Sequence, residues 1–389
     1  MSKKTFLLVF ISFLISCNNS ENSLSGQEET IQSIKKTILP DSRDAIFDLT
    51  LHPEKDKWII KGATDQKALK EAFLKALDSA HIQYTDSMSV LPVDDFKNKI
   101  AVCRLPVANL RAQPKHSAEL VTQVLMGMPL QVFEEKNDFY SVKTPEGYYA
   151  WVDRAGIEIL PNEAFSGWLN KPKLIVTNHC GKTYSKPSKQ SEVVSDFVLN
   201  DVFAWLYDED HFACILYPDG RKAFLPKDDC LKLTDFEKQN KQITGDDIVN
   251  DARRYIGISY LWGGTSTKGL DCSGFSKNVY AQAGYLLPRD ASQQVKIGKP
   301  VEITADFKNL QPGDLLFFGR KLKGKDKITH VAIHIKDGLI IHATGEVKIE
   351  SLNSDSELFN EQRLKSLLQA RRIIGYFPQS LVHIYHNPS

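Results

Sequence analysis

The run Tyr260-Leu261-Trp262-Gly263-Gly264, followed by Gly269-Leu270-Asp271-Cys272-Ser273-Gly274-Phe275, decides how the last third of this 389-residue chain reads. A glycine-rich loop gives way at Cys272 to a stretch of helical character over residues 272–283, closed by Gly284 in the position where helices commonly end. Cys272 therefore stands at the mouth of a predicted helix. A thiol attacks an amide as its thiolate, and both a helix N-terminus and a neighbouring imidazole favour that form. The imidazoles come later, in Thr329-His330-Val331-Ala332-Ile333-His334-Ile335 and Ile341-His342-Ala343. His330 and His334 are an even number of residues apart on a predicted strand and share a face, so spacing alone nominates either as the base. A cysteine–histidine hydrolase is the leading reading.

Around this run, residues 246–256 read as a helix with Ile248, Ala252, Tyr255 and Ile256 on its apolar side. Residues 315–318, 330–335, 339–342 and 373–377 read as strands. Helices first and strands after indicate an α+β domain over residues 244–380. A polar linker over residues 235–245 separates it from the upstream chain.

Upstream lies an internal repeat with an offset of 73 positions. It pairs Pro114 with Pro187, Glu119 with Glu192, Val121 with Val194 and Phe139 with Phe212. It also pairs Pro145-Glu146-Gly147 with Pro218-Asp219-Gly220 and Ala150-Trp151-Val152 with Ala223-Phe224-Leu225. Short apolar strands with a Pro-acidic-Gly hairpin turn predict a small β-barrel made twice, over residues 101–162 and 170–234. Residues 40–100 form a small α+β module, with strands near residues 45–49 and 58–60 and a helix over 64–79. Leu69, Phe73, Leu74 and Leu77 form the stripe of that helix, and the module reads as packing rather than chemistry.

The N-terminus reads as an address. Lys3-Lys4 precede an apolar run over residues 6–15 that ends Leu14-Ile15-Ser16-Cys17, too short for a membrane span and suited to a signal peptide over residues 1–17. Residues 18–39 are expected to be a flexible tether. The formal net charge is +1 with no basic block after the N-terminus, which excludes nucleic acid as a partner. With 42% hydrophobic and 25% charged residues the chain is of ordinary folded composition and long enough for several domains. Cysteines stand at 17, 103, 180, 214, 230 and 272. None has metal-type CxxC spacing, so no zinc site and no cofactor is expected, and a bridge from Cys180 to Cys214 or Cys230 competes with buried free thiols.

Five ordered blocks resemble one family. They are Tyr260-x-Trp262-Gly263-Gly264, Asp271-Cys272-Ser273-Gly274-Phe275, Leu287-Pro288-Arg289-Asp290-x-Ser292-Gln293-Gln294, Pro312-Gly313-Asp314-Leu315, and the histidines in order. Together they resemble the NlpC-type family of papain-like cell-wall peptidases, while the barrels resemble bacterial Src-homology-3-like domains and the leader a bacterial lipoprotein signal with Cys17 lipidated. The implied protein is multidomain: a small α+β N-terminal module, two Src-homology-3-like β-barrels and a C-terminal α+β papain-like cysteine peptidase domain.

The resemblance implies Cys272 as nucleophile, His330 as base and His342 as its orienting partner. Tyr260 would assist the backbone N–H of Cys272 in holding an oxyanion. It implies hydrolysis of the γ-D-glutamyl–diamino acid bond of peptidoglycan stem peptides, with a free N-terminal L-alanine. Asp271, Ser273 and Ser292 would contact that end of the substrate, and Glu119 and Tyr148 of the first barrel and Trp262 would line the pocket. A carboxylate beside the nucleophile raises the thiol's pKa unless it meets a cation, and a substrate amine is one such cation. The expected protein is a monomer in the cell envelope, held to a membrane by a lipid on Cys17. The alternatives are a peptidoglycan-binding lipoprotein, or an amidase or endopeptidase of intact wall.

Overall fold

In the computed structural model the described residues are 24–385, apart from Asp56, so the leader, Cys17 and His386 lie outside them. The described residues fall into two units, residues 24–90 and 91–385.

In the first unit an antiparallel pair, Phe47–Glu54 and Lys57–Thr64, is extended by Tyr84–Val90 running parallel to the second strand, with helix Lys67–Ser79 making the crossover. The expected tether is corrected here. Residues Leu24–Ile38 form a helix, because Ile31, Ile34 and Ile38 recur at helical spacing and give it an apolar stripe. Ile31 is fully buried with Phe47, Trp58, Ile60, Phe73 and Leu77, and the Trp58 indole N–H donates to Gln27 at 3.0 Å.

The second unit begins at Leu91, so residues 91–100, expected in the N-terminal module, belong instead with the first repeat. Its first sheet has the order 157–161, 99–103, 129–136, 139–143, 149–153, 107–111, 120–125, all antiparallel. Its second sheet runs 230–232, 173–176, 202–209, 212–216, 222–226, 180–184, 193–198, which is the same order displaced by the repeat. Even the irregularities recur. The register slips between Val132 and Glu134 and again between Trp205 and Tyr207, and between Leu110 and Arg111 and again between Thr183 and Tyr184. Each sheet has two free edges in this order.

Helix Leu233–Asn240 replaces the linker expected at 235–245; Leu233 and Phe236 are buried and hold it against the second repeat. Helix Gly245–Arg253 comes next, opened by a reciprocal Thr244/Asp247 cap. Helix Cys272–Gln282 is buried on almost every side, with Phe275 and Val279 fully enclosed. It packs on a six-stranded antiparallel sheet of order 299–301, 367–372, 315–322, 325–336, 339–344, 346–351. The last strand is Leu367–Arg372, and the expected strand at 373–377 is a turn, with Gly375 at φ +77°. Among the described residues Cys103, Cys180, Cys214, Cys230 and Cys272 are free thiols, so no bridge joins Cys180 to Cys214 or Cys230.

Candidate active site

Asp271 caps the Cys272 helix, its Oδ1 accepting the Gly274 N–H at 2.7 Å. Its Oδ2 accepts from the Gly263 N–H at 3.0 Å, which ties the glycine-rich loop to the helix start. The cation that Asp271 meets is internal: Arg289 grips it with two N–H groups, at 3.1 and 2.5 Å, and also donates to Ser273 Oγ at 2.9 Å. Both partners are buried. A substrate amine is therefore not needed to neutralise this carboxylate, which corrects the reason for assigning it to that amine. Arg289 lies in the Leu287–Gln294 block, 18 residues from Asp271, and no local spacing announces the pair.

Cys272 is 8% exposed and lines a cavity of about 330 Å³. Burial pushes its thiol up to about 11, and Asp271 adds to the rise; the backbone N–H groups of Val331 and Ser273 and the charge of Arg289 act the other way. Burial and Asp271 thus oppose the thiolate that the helix start and an imidazole favour. Val331 is the neighbour of His330, so its bond to the sulfur brings the histidine strand to the nucleophile.

Three consecutive antiparallel strands carry a relay. His330 Nε2 lies 2.7 Å from His342 Nδ1, and His342 Nε2 lies 3.1 Å from Glu350 Oε2, off the line of a straight hydrogen bond. Glu350 is held by the Lys348 ammonium at 3.1 Å and by the Asn360 side-chain amide at 3.0 Å. The His342 imidazole beside it, opposed by burial, keeps its carboxyl down at about 2. A carboxylate there holds the His342 proton on Nε2, leaves Nδ1 to accept from His330 Nε2–H, and so leaves the lone pair of His330 on Nδ1. Burial holds His330 well below the usual histidine range, with Arg363 and His342 adding to the fall and Glu350 opposing it. Burial therefore favours the uncharged form of both Cys272 and His330. His334 is different: it is 1% exposed and its Nδ1 lies 3.0 Å from the Gln311 carbonyl, a structural bond. Glu350 escaped the sequence reading because a lone glutamate on an alternating strand carries no local signature.

The remaining expected residues converge on the same cavity. Tyr260, Trp262, Asp271, Ser273 and Ser292 line it from the helical side, and Glu119 and Tyr148 from the first repeat. Trp262 is 63% exposed, so it is a rim residue and not core, and its indole N–H donates to Glu119 Oε1 at 2.7 Å. Tyr260 is pushed up to about 12 by burial, with Cys272 and Asp271 adding to it, and so stays a hydroxyl donor.

The first repeat is fastened beside the site. Gln123 accepts from the Thr265 N–H at 2.9 Å and from Ser266 Oγ at 3.1 Å, and Lys277 pairs with Glu146 at 2.7 Å, both buried. Gly263 has φ +78°, and a Cβ there would stand 2.2 Å from the Leu120 carbonyl oxygen, so only glycine permits the approach.

Comparison with known proteins agrees with this anatomy. Residues 257–365 match the NlpC/P60 family and residues 106–158 the bacterial SH3 domain. The gamma-D-glutamyl-L-lysine dipeptidyl-peptidase of Bacillus cereus is 32% identical over 249 residues, covering 61% of this chain and 72% of the relative. The Bacillus subtilis protein of the same name is 29% identical over 258 residues, covering 62% and 78%. A crystal structure of an NlpC/P60 family protein from Bacillus cereus superposes with a TM-score of 0.60 at 26% identity, over 72% of this chain and all of the other. On the strength of the Bacillus cereus relative and of the matched region that contains Cys272, His330 and His342, this chain belongs to the NlpC/P60 family.

Proposed function

We propose that this protein is a cysteine peptidase that hydrolyses the γ-D-glutamyl–diamino acid bond of peptidoglycan stem peptides with a free N-terminal L-alanine. The observation that carries the proposal is the sulfur of Cys272 on the cavity wall, bonded by the amide next to His330, with His342 and Glu350 behind that histidine. The relatives named gamma-D-glutamyl-L-lysine dipeptidyl-peptidase support the choice of bond.

As the γ-glutamyl carbonyl approaches, the Cys272 proton passes to His330 Nδ1 and the sulfur bonds to the carbonyl carbon. The oxygen gathers negative charge, which the Cys272 N–H and the Tyr260 hydroxyl stabilise. The C–N bond then breaks, and His330 returns the proton to the leaving amine. Water, deprotonated by His330, attacks the thioester and frees the thiol. His342, held by Glu350, stabilises the imidazolium that forms in each half-reaction.

The alanine end occupies the side of the cavity closed by the first repeat. Its ammonium meets the Glu119 carboxylate at the rim, with Tyr148, Ser273 and Ser292 around it and the Asp271–Arg289 pair beneath. The two repeats are read as Src-homology-3-like barrels, supported by their shared strand order and bulges. The lipoprotein-like ending at Cys17 supports a lipid anchor in the cell envelope.

Cys272→Ala is expected to abolish cleavage of L-Ala-γ-D-Glu-diaminopimelate with the fold intact, and retained turnover would refute the nucleophile. Acylating the alanine nitrogen is expected to cost activity, and equal rates on free and acylated peptides would reject recognition of the amine.

A further inference from the structure

Resting on that reading, we infer that a second, basic cavity on the far side of His330 is the subsite for a carboxylate carried by the leaving residue. This cavity measures about 310 Å³ and is lined by Arg320, Lys327, Thr329, His330 and Arg363 over a floor of Phe318. Thr329 also lines the Cys272 cavity, so the two spaces adjoin at the residue before His330. The acyl half of the substrate is bound on the sulfur side. His330 gives its proton to the leaving amine, so the residue attached to that amine lies on the His330 side, where this cavity opens.

The cavity is built rather than incidental. The strand Leu315–Leu322 slips register on both flanks at this point: Thr329 is extra opposite the Phe318–Gly319 step, and Leu368 is extra opposite the Phe317–Phe318 step. Bulges of this kind re-aim side chains and gather beside active sites. Gly319 makes the bend possible, since a Cβ there would lie 2.0 Å from the Lys327 carbonyl oxygen. Helix Glu361–Lys365 then sets the Arg363 guanidinium 5.3 Å over the Phe318 ring, with its Nε 3.8 Å from Glu350.

Charge decides the ligand class. Glu350 partly answers Arg363, but neither Arg320 nor Lys327 has an acidic partner among the described residues, and both are exposed. Three cations around a cavity that no carboxylate lines repel a lysine ammonium and attract a carboxylate. Two sources offer one: the α-carboxylate of a C-terminal leaving residue, and the side-chain carboxylate of a diamino diacid such as diaminopimelate.

The test uses the full chain and four peptides, L-Ala-γ-D-Glu linked to L-lysine or meso-diaminopimelate, each as the α-acid or the α-amide. A peptide able to place a carboxylate here is expected to have a kcat/KM about tenfold or more above that of the lysine amide, with the difference mostly in KM. If the diaminopimelate amide keeps the advantage, the side-chain carboxylate is the group bound. If both acids keep it and both amides lose it, the α-carboxylate is. In the double variant Arg320→Gln, Lys327→Gln the advantage is expected to shrink to about twofold or less, and added salt is expected to erode it in the wild type. Equal kcat/KM for all four peptides, or full discrimination in the double variant, would overturn the subsite alone. Failure to cleave any of the four would overturn the peptidase reading and the subsite with it.

Discussion

Replacing Glu350 by glutamine removes one charge from the end of the histidine relay and keeps the shape of the side chain. The carboxylate sits 3.1 Å from His342 Nε2, and His342 Nδ1 sits 2.7 Å from His330. Adding the width of one imidazole places the charge that develops on His330 roughly 8 Å from Glu350. With an effective dielectric constant of about 20, that separation gives about 2 kcal/mol of stabilisation for a transition state in which His330 is an imidazolium. The expected loss is therefore about thirtyfold in kcat. Glutamine also offers His342 an N–H as readily as an oxygen, and a flipped tautomer would leave His330 facing the sulfur with a proton already in place, so the loss is expected to be at least this large.

The assay is turnover of the defined tripeptide across pH, with thermal unfolding to check the fold. Glu350 opposes the depression of both histidine pKa values, so its loss should move the acid limb of the rate profile to lower pH while the plateau falls. The sign of the stability term is also fixed. The folded carboxyl is held down at about 2, so its contribution is full above the unfolded glutamate pKa of about 4.3 and is lost as pH falls through about 2. The wild type should thus lose its advantage over Glu350→Gln across that acid window. A variant that folds normally, turns over within twofold of wild type and keeps its acid limb would refute the relay.

Three further outcomes are expected. Iodoacetamide should alkylate Cys272 slowly at neutral pH and about tenfold faster per pH unit toward about 11, because burial pushes the thiol up; a rate already level at pH 7 would show a resting ion pair. Glu146→Ala should destabilise the second unit by about 3 kcal/mol in denaturant titration, since it strands the buried Lys277 ammonium, whereas Glu146→Leu with Lys277→Met should cost much less; equal costs would show that the charges are not the issue. Ile31→Ala should cost the first unit about 2–5 kcal/mol by emptying a fully buried position, where a flexible segment would feel nothing.

How much of the fold and the site was legible in the sequence depended on how local the signal was. Cys272 and Gly284 bound one short run, and their residue types mark a helix with a nucleophile at its start, whereas the capping role of Asp271 shows only in the folded backbone. The repeat was legible because a constant offset survives even where individual residues change, and it carried the strand order and the bulges with it. What failed was weak or distant. Helix Leu24–Ile38 has three isoleucines among polar residues, and its stripe only matters once Phe47 and Trp58 are folded against it. The run after Asp235 looked like a linker because its one buried apolar residue, Phe236, sits among polar and charged residues. The partners Arg289 and Glu350 are 18 and 8 residues from the groups they hold, and only a folded backbone brings them there.

The repeat also separates structural from functional roles in the cavity wall, because the second copy is a control built into the chain. In both copies the backbone carbonyl at the shared glutamate accepts from the chain across the turn: Glu119 from the Ala112 N–H, and Glu192 from the Ser185 N–H at 2.8 Å. Any residue can supply that carbonyl, so the pairing of Glu119 with Glu192 is no argument that the Glu119 side chain is structural. The side chains diverge where the first copy meets the glycine-rich loop. Glu119 Oε1 takes the Trp262 indole N–H, and Tyr148 turns toward the cavity, while the offset places Arg221 at the Tyr148 position of the second copy, where it pairs with Asp219 at 2.8 Å. A fold that needed an aromatic at that turn would have kept one in both copies. Tyr148→Arg, which copies the second repeat's own solution, should therefore leave the first sheet folded. It should also raise KM for the peptide by setting a cation against the substrate's ammonium. A loss of thermal stability with KM unchanged would show that Tyr148 serves the sheet and not the site.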